Sequence, residues 1–307
     1  MYDIVIVGGG PAGLAASLYS SRAKLKTILI EKTFLGGQMA TSPYIENYPG
    51  IEGPISGVDL ALKMENHAKK FGVEIVTENV VELSLADTVK IVKTPLNDYK
   101  SKAVILCLGA SPKELGLPKE KEFIGRGVFY CATCDGPLYR NVDVAVVGGG
   151  DTALVDALFL TKFCSKVYLI HRRDSFRAVK SLQNAVFNHK KIEILLNSVV
   201  EEILGDSEVE GIRIKNMQSN LSTELNLKGV LIAVGSVPNT DLVKNSVKLN
   251  EAGYILTDEG MKTSIPGVFA AGDVREKPLR QVITAVSDGA VASYMAERYI
   301  NDLSLAF

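Results

Sequence analysis

Two stretches of this chain read as copies of one another. From Asp3 the residues run DIVIVGGGPAGLAASLYSSRAKLKTILIEK, and from Asp143 they run DVAVVGGGDTALVDALFLTKFCSKVYLIHR. They align without a gap, Gly8 on Gly148, and about a third of the positions are identical. Each copy opens with a short apolar run (Ile4–Val7; Val144–Val147). A glycine-rich turn and a helix-length stretch follow, then a second apolar run (Thr27–Ile30; Val167–Ile170). That order is a βαβ unit built around a dinucleotide fingerprint.

A second repeat closes each half. KAVILCLGASP from Lys102 resembles KGVLIAVGSVP from Lys228, each an apolar run that ends in glycine (Gly109, Gly235) and reaches proline (Pro112, Pro238). The expected fold is therefore α/β, with two Rossmann-like domains of the two-dinucleotide-binding flavoprotein kind, the second inserted into the first. Residues 1–112 and 242–307 form one domain and 113–241 the other. The tail is too short for a third such domain and returns to complete the first.

Composition narrows the function classes. The 34 Lys and Arg balance 35 Asp and Glu, which argues against a dedicated nucleic-acid binder. No apolar run approaches the ~20 residues that cross a bilayer, and the N-terminus lacks the basic start of a secretory signal, so a cytoplasmic location is expected.

In the first copy Gly8 permits the tight turn, Gly10 lets a pyrophosphate approach the backbone, and Gly13 lets the helix pack closely on the strand. Free N–H groups at the helix start face the phosphates. Glu31 ends the second strand, where an acid accepts from a ribose hydroxyl. The second copy reads Gly148-x-Gly150-x-x-Ala153, with Asp151 and Thr152 between. Where the first copy carries Glu31, the second carries His171, followed by Arg172, Arg173 and Arg177. An acid there would repel a 2′-phosphate, whereas guanidinium groups bind one through paired hydrogen bonds. The second site is expected to take NADPH in preference to NADH, with His171 beside the phosphate. His67 reads as a partly exposed residue of an amphipathic helix (Ala61, Met64, Ala68, Phe71), and neither it nor His189 lies in a ligand motif.

Cys131-Ala-Thr-Cys134-Asp135-Gly136 lies just before the second fingerprint. A structural zinc would need two further ligands at matching spacing, and the sequence offers none, so no metal is expected. Two inert buried thiols remain an alternative to a redox-active disulphide, which the spacing favours. If the pair opens a helix, the thiolate is stabilised. Asp135 is a candidate acid–base group, with helix capping as the plainer alternative. Cys107 lies within the apolar run Ala103–Leu108 and Cys164 falls late in the second helix-length stretch, and both read as packing residues. A nicotinamide delivers two electrons as hydride and does not readily reduce a disulphide directly. A flavin does both steps, so the first site is expected to hold FAD.

The motifs GGGPAG (8–13), GGQ (36–38), ENYPG (46–50), CATCDG (131–136), GGGDTA (148–153), HRRDSFRA (171–178) and GVFAAGDV (267–274) together resemble the low-molecular-weight, bacterial-type NADPH-dependent thioredoxin reductases, along essentially the whole chain. The resemblance implies a homodimer with FAD in each subunit. It places Ala12, Gly36, Gly37, Gln38, Asn47, Val81, Gly109, Gly272, Asp273, Arg280, Gln281 and Val282 with the first cofactor. It implies that Cys134 faces the flavin, that Cys131 attacks the disulphide of thioredoxin or a thioredoxin-like protein, and that Asp135 supplies protons. It also implies a reorienting NADPH domain, and hinges are expected near Ser111–Leu117 and Pro238–Leu242, where Pro and Gly punctuate the chain. The sequence departs from the pattern at Leu108, Val155-Asp156 and Leu279. The alternatives are the same fold serving a glutaredoxin-like protein, a small dithiol or a ferredoxin, and a non-catalytic dinucleotide-binding regulator.

Overall fold

The structure is a computed structural model that describes residues 1–42 and 45–305. The chain divides into two compact units, one of Met1–Ser111 with Val237–Phe307, the other of Pro112–Ser236.

The first unit starts with β1 (Tyr2–Val7), buried on both sides from Ile4 onward. A strand apolar on both faces belongs at the centre of a covered parallel sheet. There β1 pairs in parallel with β2 (Thr27–Glu31) after the crossover helix α1 (Pro11–Arg22). Helix α2 (Gly57–Lys69) leads to β3 (Glu74–Thr77), and Ser56 caps it by accepting the Asp59 N–H at 3.0 Å. His67 is exposed on this helix and Ala61 and Ala68 are buried, as the periodicity requires. Next come β4 (Glu82–Ser84), β5 (Lys90–Lys93) and β6 (Asp98–Leu106), giving the order β3-β2-β1-β6-β5-β4. The two-residue period sorts the core: Ile4 and Ile6 pack on one face of the sheet with Ala12, Ala16 and Ala292, and Val5 and Val7 pack on the other with Val104, Leu106 and Val268.

After β7 (Ala110–Pro112) the second unit repeats the plan. It brings β8 (Val128–Phe129), the single-turn helix α3 (Ala132–Asp135), β9 (Asp143–Val147), α4 (Asp151–Leu160) and β10 (Lys166–Ile170). Then follow α5 (Lys180–Phe187), β11 (Ile192–Leu195), β12 (Ser198–Leu204), β13 (Gly211–Asn216), β14 (Ser222–Asn226) and β15 (Gly229–Ile232). The central sheet has the order β11-β10-β9-β15-β8 and is parallel throughout; β12, β13 and β14 form a separate antiparallel sheet.

β16 (Ser236–Pro238) pairs with β7 as the chain returns. Residues 237–241, given to the second half by the sequence, belong with the first unit. Asn239 Nδ2 donates to the Leu108 carbonyl at 2.9 Å, and Thr240 Oγ1 donates to the Gly253 carbonyl at 3.0 Å. The tail then adds β17 (Val268–Ala270) beside β6 and the long helix α6 (Val282–Leu305).

Helices α1 and α6 meet on small residues. The Ser20 and Ser293 hydroxyls hydrogen-bond at 2.8 Å, and a Cβ on Gly289 would stand 2.1 Å from the Ala12 carbonyl oxygen. Gly289→Ala forces α6 away from the turn that α1 opens. The substitution should cost about 1–3 kcal/mol as overpacking. Urea denaturation measures it, and an unchanged midpoint would show that the helices can part freely.

Candidate functional site

The first glycine turn is shaped by backbone contact. Gly8 has φ +106°, and a Cβ there would lie 2.2 Å from the Cys107 carbonyl; a Cβ on Gly13 would lie 1.9 Å from the Gly8 carbonyl. Nothing lies within 4 Å of the same point on Gly10, so the turn is open on the side where α1 begins. Ala12 is buried in that first helical turn. Glu31, at the end of β2, reaches the turn: Oε2 accepts the Gly9 N–H at 2.7 Å and Oε1 accepts the Thr33 N–H at 3.1 Å.

Several segments converge on this turn. Gly36 donates its N–H to the Gly9 carbonyl at 2.9 Å, and a Cβ on Gly37 would lie 3.3 Å from Gly10 Cα, which seats the exposed Gln38 beside it. A Cβ on Gly272 would sit 3.0 Å from that of Ala12. Asn47 Nδ2 donates to Gln281 Oε1 at 3.1 Å, tying the 46–50 segment to the residue before Val282, where α6 begins. Val81 is half exposed with its N–H taken by the Lys93 carbonyl, and Gly109 has φ +69° and accepts the Asn239 N–H.

Charged groups lie beneath these segments. Asp288 Oδ2 accepts from Gly272 N–H at 3.0 Å, Arg275 Nε at 2.9 Å and Lys277 Nζ at 2.7 Å, in a buried network. The Arg280 guanidinium lies 4.2 Å from the centre of the Tyr254 ring. Asp273 Oδ1 and Arg280 Nε are buried with no hydrogen-bond partner among the described residues. Burial pushes the Asp273 carboxyl up, helped by the Asp288 charge and opposed by Lys277 and Arg280. Asp288, Lys277 and Tyr254 escape the sequence reading. The signal available was an acid on the buried stripe of α6, four residues from Ala292.

The second turn repeats the first with one change. A Cβ on Gly148 would lie 2.4 Å from the Ala233 carbonyl and 2.6 Å from the Ala153 methyl, and Gly150 is open like Gly10. Asp151 Oδ1 accepts the Val179 N–H at 2.8 Å, Thr152 is exposed, and Arg177 N–H donates to the Gly149 carbonyl at 2.9 Å. The basic segment thus folds onto the glycines. Arg172, Arg173 and Arg177 are exposed, and no carboxylate among the described residues pairs with them. His171 is buried under Gly149 with Phe176 at 5.5 Å. Burial first, and then the three arginines, lower its pKa against the opposing Ser175 backbone hydrogen bond.

Cys131 and Cys134 are bonded as a disulphide, with Cα atoms 5.3 Å apart. Cys131 is the N-cap of α3, and its sulfur accepts the Cys134 N–H at 3.2 Å. Cys107 and Cys164 are free and buried, with thiol pKa values raised by burial, to about 11 for Cys164.

The profile of the pyridine nucleotide-disulphide oxidoreductases matches residues 2–289. The chain belongs to this family. A thioredoxin reductase of Peptoclostridium litorale is 47% identical over 99% of this chain and 98% of its own length, and one of Bacillus subtilis is 43% identical over 99% and 96%. The crystal structure of the thioredoxin reductase from Streptococcus pyogenes superposes with a TM-score of 0.93, at 44% identity over 98% of this chain and 99% of that one. As a pyridine nucleotide-disulphide oxidoreductase the chain is a flavoprotein, with FAD and NADPH as cofactors.

In this oxidoreductase Asp135 closes the turn of α3. Its N–H donates to the Cys131 carbonyl at 3.1 Å and its side chain makes no capping hydrogen bond, so capping is not its role. Burial alone pushes its carboxyl up to about 6. The charged form is the costly one in the fold. The penalty is absent below the ordinary carboxylate range and grows as pH rises through about 6. Asp135→Asn should therefore melt at the same temperature as the parent near pH 4 and at a higher one at pH 8. Equal melting at both values would show an unburied carboxylate.

Proposed function

We propose that this chain is a thioredoxin reductase, carrying electrons from NADPH through FAD and the Cys131–Cys134 disulphide to oxidised thioredoxin. The observation that carries the proposal is a formed Cys-x-x-Cys disulphide on the same unit as an arginine-lined nucleotide turn, in a chain whose other unit holds a second such turn. The proposed assembly is a homodimer and the proposed location cytoplasmic; no helix among the described residues is long and apolar enough to cross a membrane.

The residues present fit both cofactors. The open Gly10 edge and the free N–H groups of α1 suit a pyrophosphate, and Glu31 beside them suits a ribose. The buried, partnerless Asp273 Oδ1 and Arg280 Nε are one acceptor and one donor awaiting polar groups. Gln38, Asn47, Gln281 and Val282 are proposed to line the same cofactor, with Gly36, Gly37, Gly109, Gly272 and Val81. When bound, FAD supplies the two-electron relay between NADPH and a disulphide. Gly148, Gly150, Asp151, Thr152 and Ala153 are proposed to receive the NADPH pyrophosphate, and Arg172, Arg173 and Arg177 its 2′-phosphate. His171, buried, supports the turn from below.

The thiol chemistry falls to three residues. Cys131, as thiolate, attacks a sulfur of the thioredoxin disulphide, and Cys134 then attacks Cys131 to release reduced thioredoxin. Asp135, with a pKa raised to about 6, can exchange a proton with the departing thiolate more readily near neutrality than an ordinary carboxyl.

Cys134→Ser should abolish thioredoxin reduction while NADPH still bleaches the flavin. Retained turnover would remove the disulphide from the electron path. Arg172→Ala with Arg177→Ala should raise the KM for NADPH by about 10-fold or more, as lost charge-assisted phosphate contacts do, and leave that for NADH nearly unchanged. Equal changes for both nucleotides would refute the 2′-phosphate assignment.

A further inference from the structure

The two sulfurs of the disulphide do not share one environment. Cys131 Sγ lies 3.2 Å from the Cys134 backbone nitrogen and 3.4 Å from Thr133 Oγ1. A disulphide sulfur carries no hydrogen, so in both contacts the sulfur accepts and the N–H and O–H donate. Among the described residues no such donor reaches Cys134 Sγ. Thr133 is exposed, and its side chain comes back over the turn to the residue two before it.

From this geometry we propose that Thr133 is a catalytic residue, its hydroxyl donating to the Cys131 sulfur and stabilising that sulfur as a thiolate. The proposal rests on the assignment of Cys131 as the attacking thiol and deepens it by naming the side chain that sets its reactivity. Hydrogen bonding to a charged group favours the charged form. A single-turn helix offers little dipole, so donors in direct contact with the sulfur dominate. The backbone N–H is fixed by the fold, and the Thr133 hydroxyl is the donor that sequence alone controls.

The step balances without a further reagent. The Cys131 thiolate bonds to one sulfur of the partner disulphide, whose S–S bond breaks, and the electron pair leaves on the second partner sulfur, which takes a proton. The Cys134 thiolate then bonds to Cys131 Sγ, the mixed disulphide breaks, and the first partner sulfur leaves with its pair and takes the second proton. The chain is oxidised by two electrons and the partner reduced by two. Throughout, the Thr133 hydroxyl stays on Cys131 and keeps its own hydrogen.

The test measures Cys131 alone. In holoenzyme carrying Cys134→Ala, iodoacetamide labelling of Cys131 is followed by peptide mass mapping from pH 5 to 9. Cys107 and Cys164 are buried and their peptides are resolved separately. Adding Thr133→Val, which keeps the shape and removes the donor, should move the midpoint of labelling up by about 1 pH unit and slow labelling below the midpoint by about 10-fold. Thr133→Ser should restore the parent curve. A valine curve that superposes on the parent, or a serine variant that behaves like valine, overturns the proposal. The assignment of Cys131 as the attacking thiol is tested separately, by whether the Cys134→Ala protein traps thioredoxin as a mixed disulphide at Cys131. Absence of trapping with a shifted valine curve would leave Thr133 acting on Cys131 and move the attack elsewhere.

Discussion

The contact on which the rest of this molecule depends is backbone against backbone at the glycine turns. A methyl group on Gly13 would sit 1.9 Å from the Gly8 carbonyl, and one on Gly8 would sit 2.2 Å from the Cys107 carbonyl. No rotamer relieves such clashes, because both partners are main chain. The turn therefore brings the start of α1 directly to the end of β1 and β6, with its free N–H groups facing outward. Everything proposed for the first cofactor hangs on that point: Glu31 reaches it from β2, Gly36 and Gly37 fold onto it, and Gly289 presses α6 against Ala12 from behind. The second unit shows how far the constraint relaxes. Ala153 replaces Gly13, and its methyl lies where a Cβ on Gly148 would come within 2.6 Å of it, so here the glycine requirement rests on Gly148.

Charge distribution separates support from function. Asp288 and Asp273 lie in one region with opposite circumstances. Asp288 Oδ2 accepts from three donors and fastens the loop of Gly272, Arg275 and Lys277 to α6. Asp273 Oδ1 is buried and accepts none. An unpaired buried polar atom costs free energy, so a fold retains it where a ligand completes it. The same contrast marks the second unit. Asp151 is spent on the Val179 N–H, whereas Arg172, Arg173 and Arg177 stand exposed with no carboxylate paired to them among the described residues, as the proposed 2′-phosphate site requires.

The fold was legible where the chain repeats itself. Both central strands and both crossover helices follow from the aligned copies, because a βαβ unit is specified locally by period and turn chemistry, and the return of the tail was expected from its being too short for a third such domain. The antiparallel sheet of β12–β14 was not, since it has no counterpart in the first fingerprint. The placement of residues 237–241 also escaped, being decided by side-chain bonds from Asn239 and Thr240 to distant carbonyls. At the site, cysteines and arginines announced themselves by spacing. Asp288, Lys277 and Tyr254 did not, because each acquires meaning only from a partner elsewhere in the chain. His171 shows the converse: it takes the place of Glu31 in the repeat, and the fold buries it under Gly149 beside Phe176, where burial lowers its pKa.

The redox turn compresses three demands into four residues. Two sulfurs must be close enough to bond, one must be the better thiolate, and a proton must be at hand. A single helical turn meets the first demand by geometry, since Cys131 as N-cap points its sulfur along the turn toward Cys134. It meets the second in part by the same geometry, because the N-cap sulfur accepts the Cys134 N–H, and the Thr133 hydroxyl adds a side-chain contact to the same sulfur. The asymmetry between the sulfurs thus has a part fixed by position within the turn, the backbone N–H, and a part set by the side chain at 133. In the proposed reaction Asp135 would meet the third demand from the end of the turn, where burial without a capping bond raises its pKa to about 6. Lengthening the turn by one residue would separate these roles, which is the physical sense of the two-residue spacing.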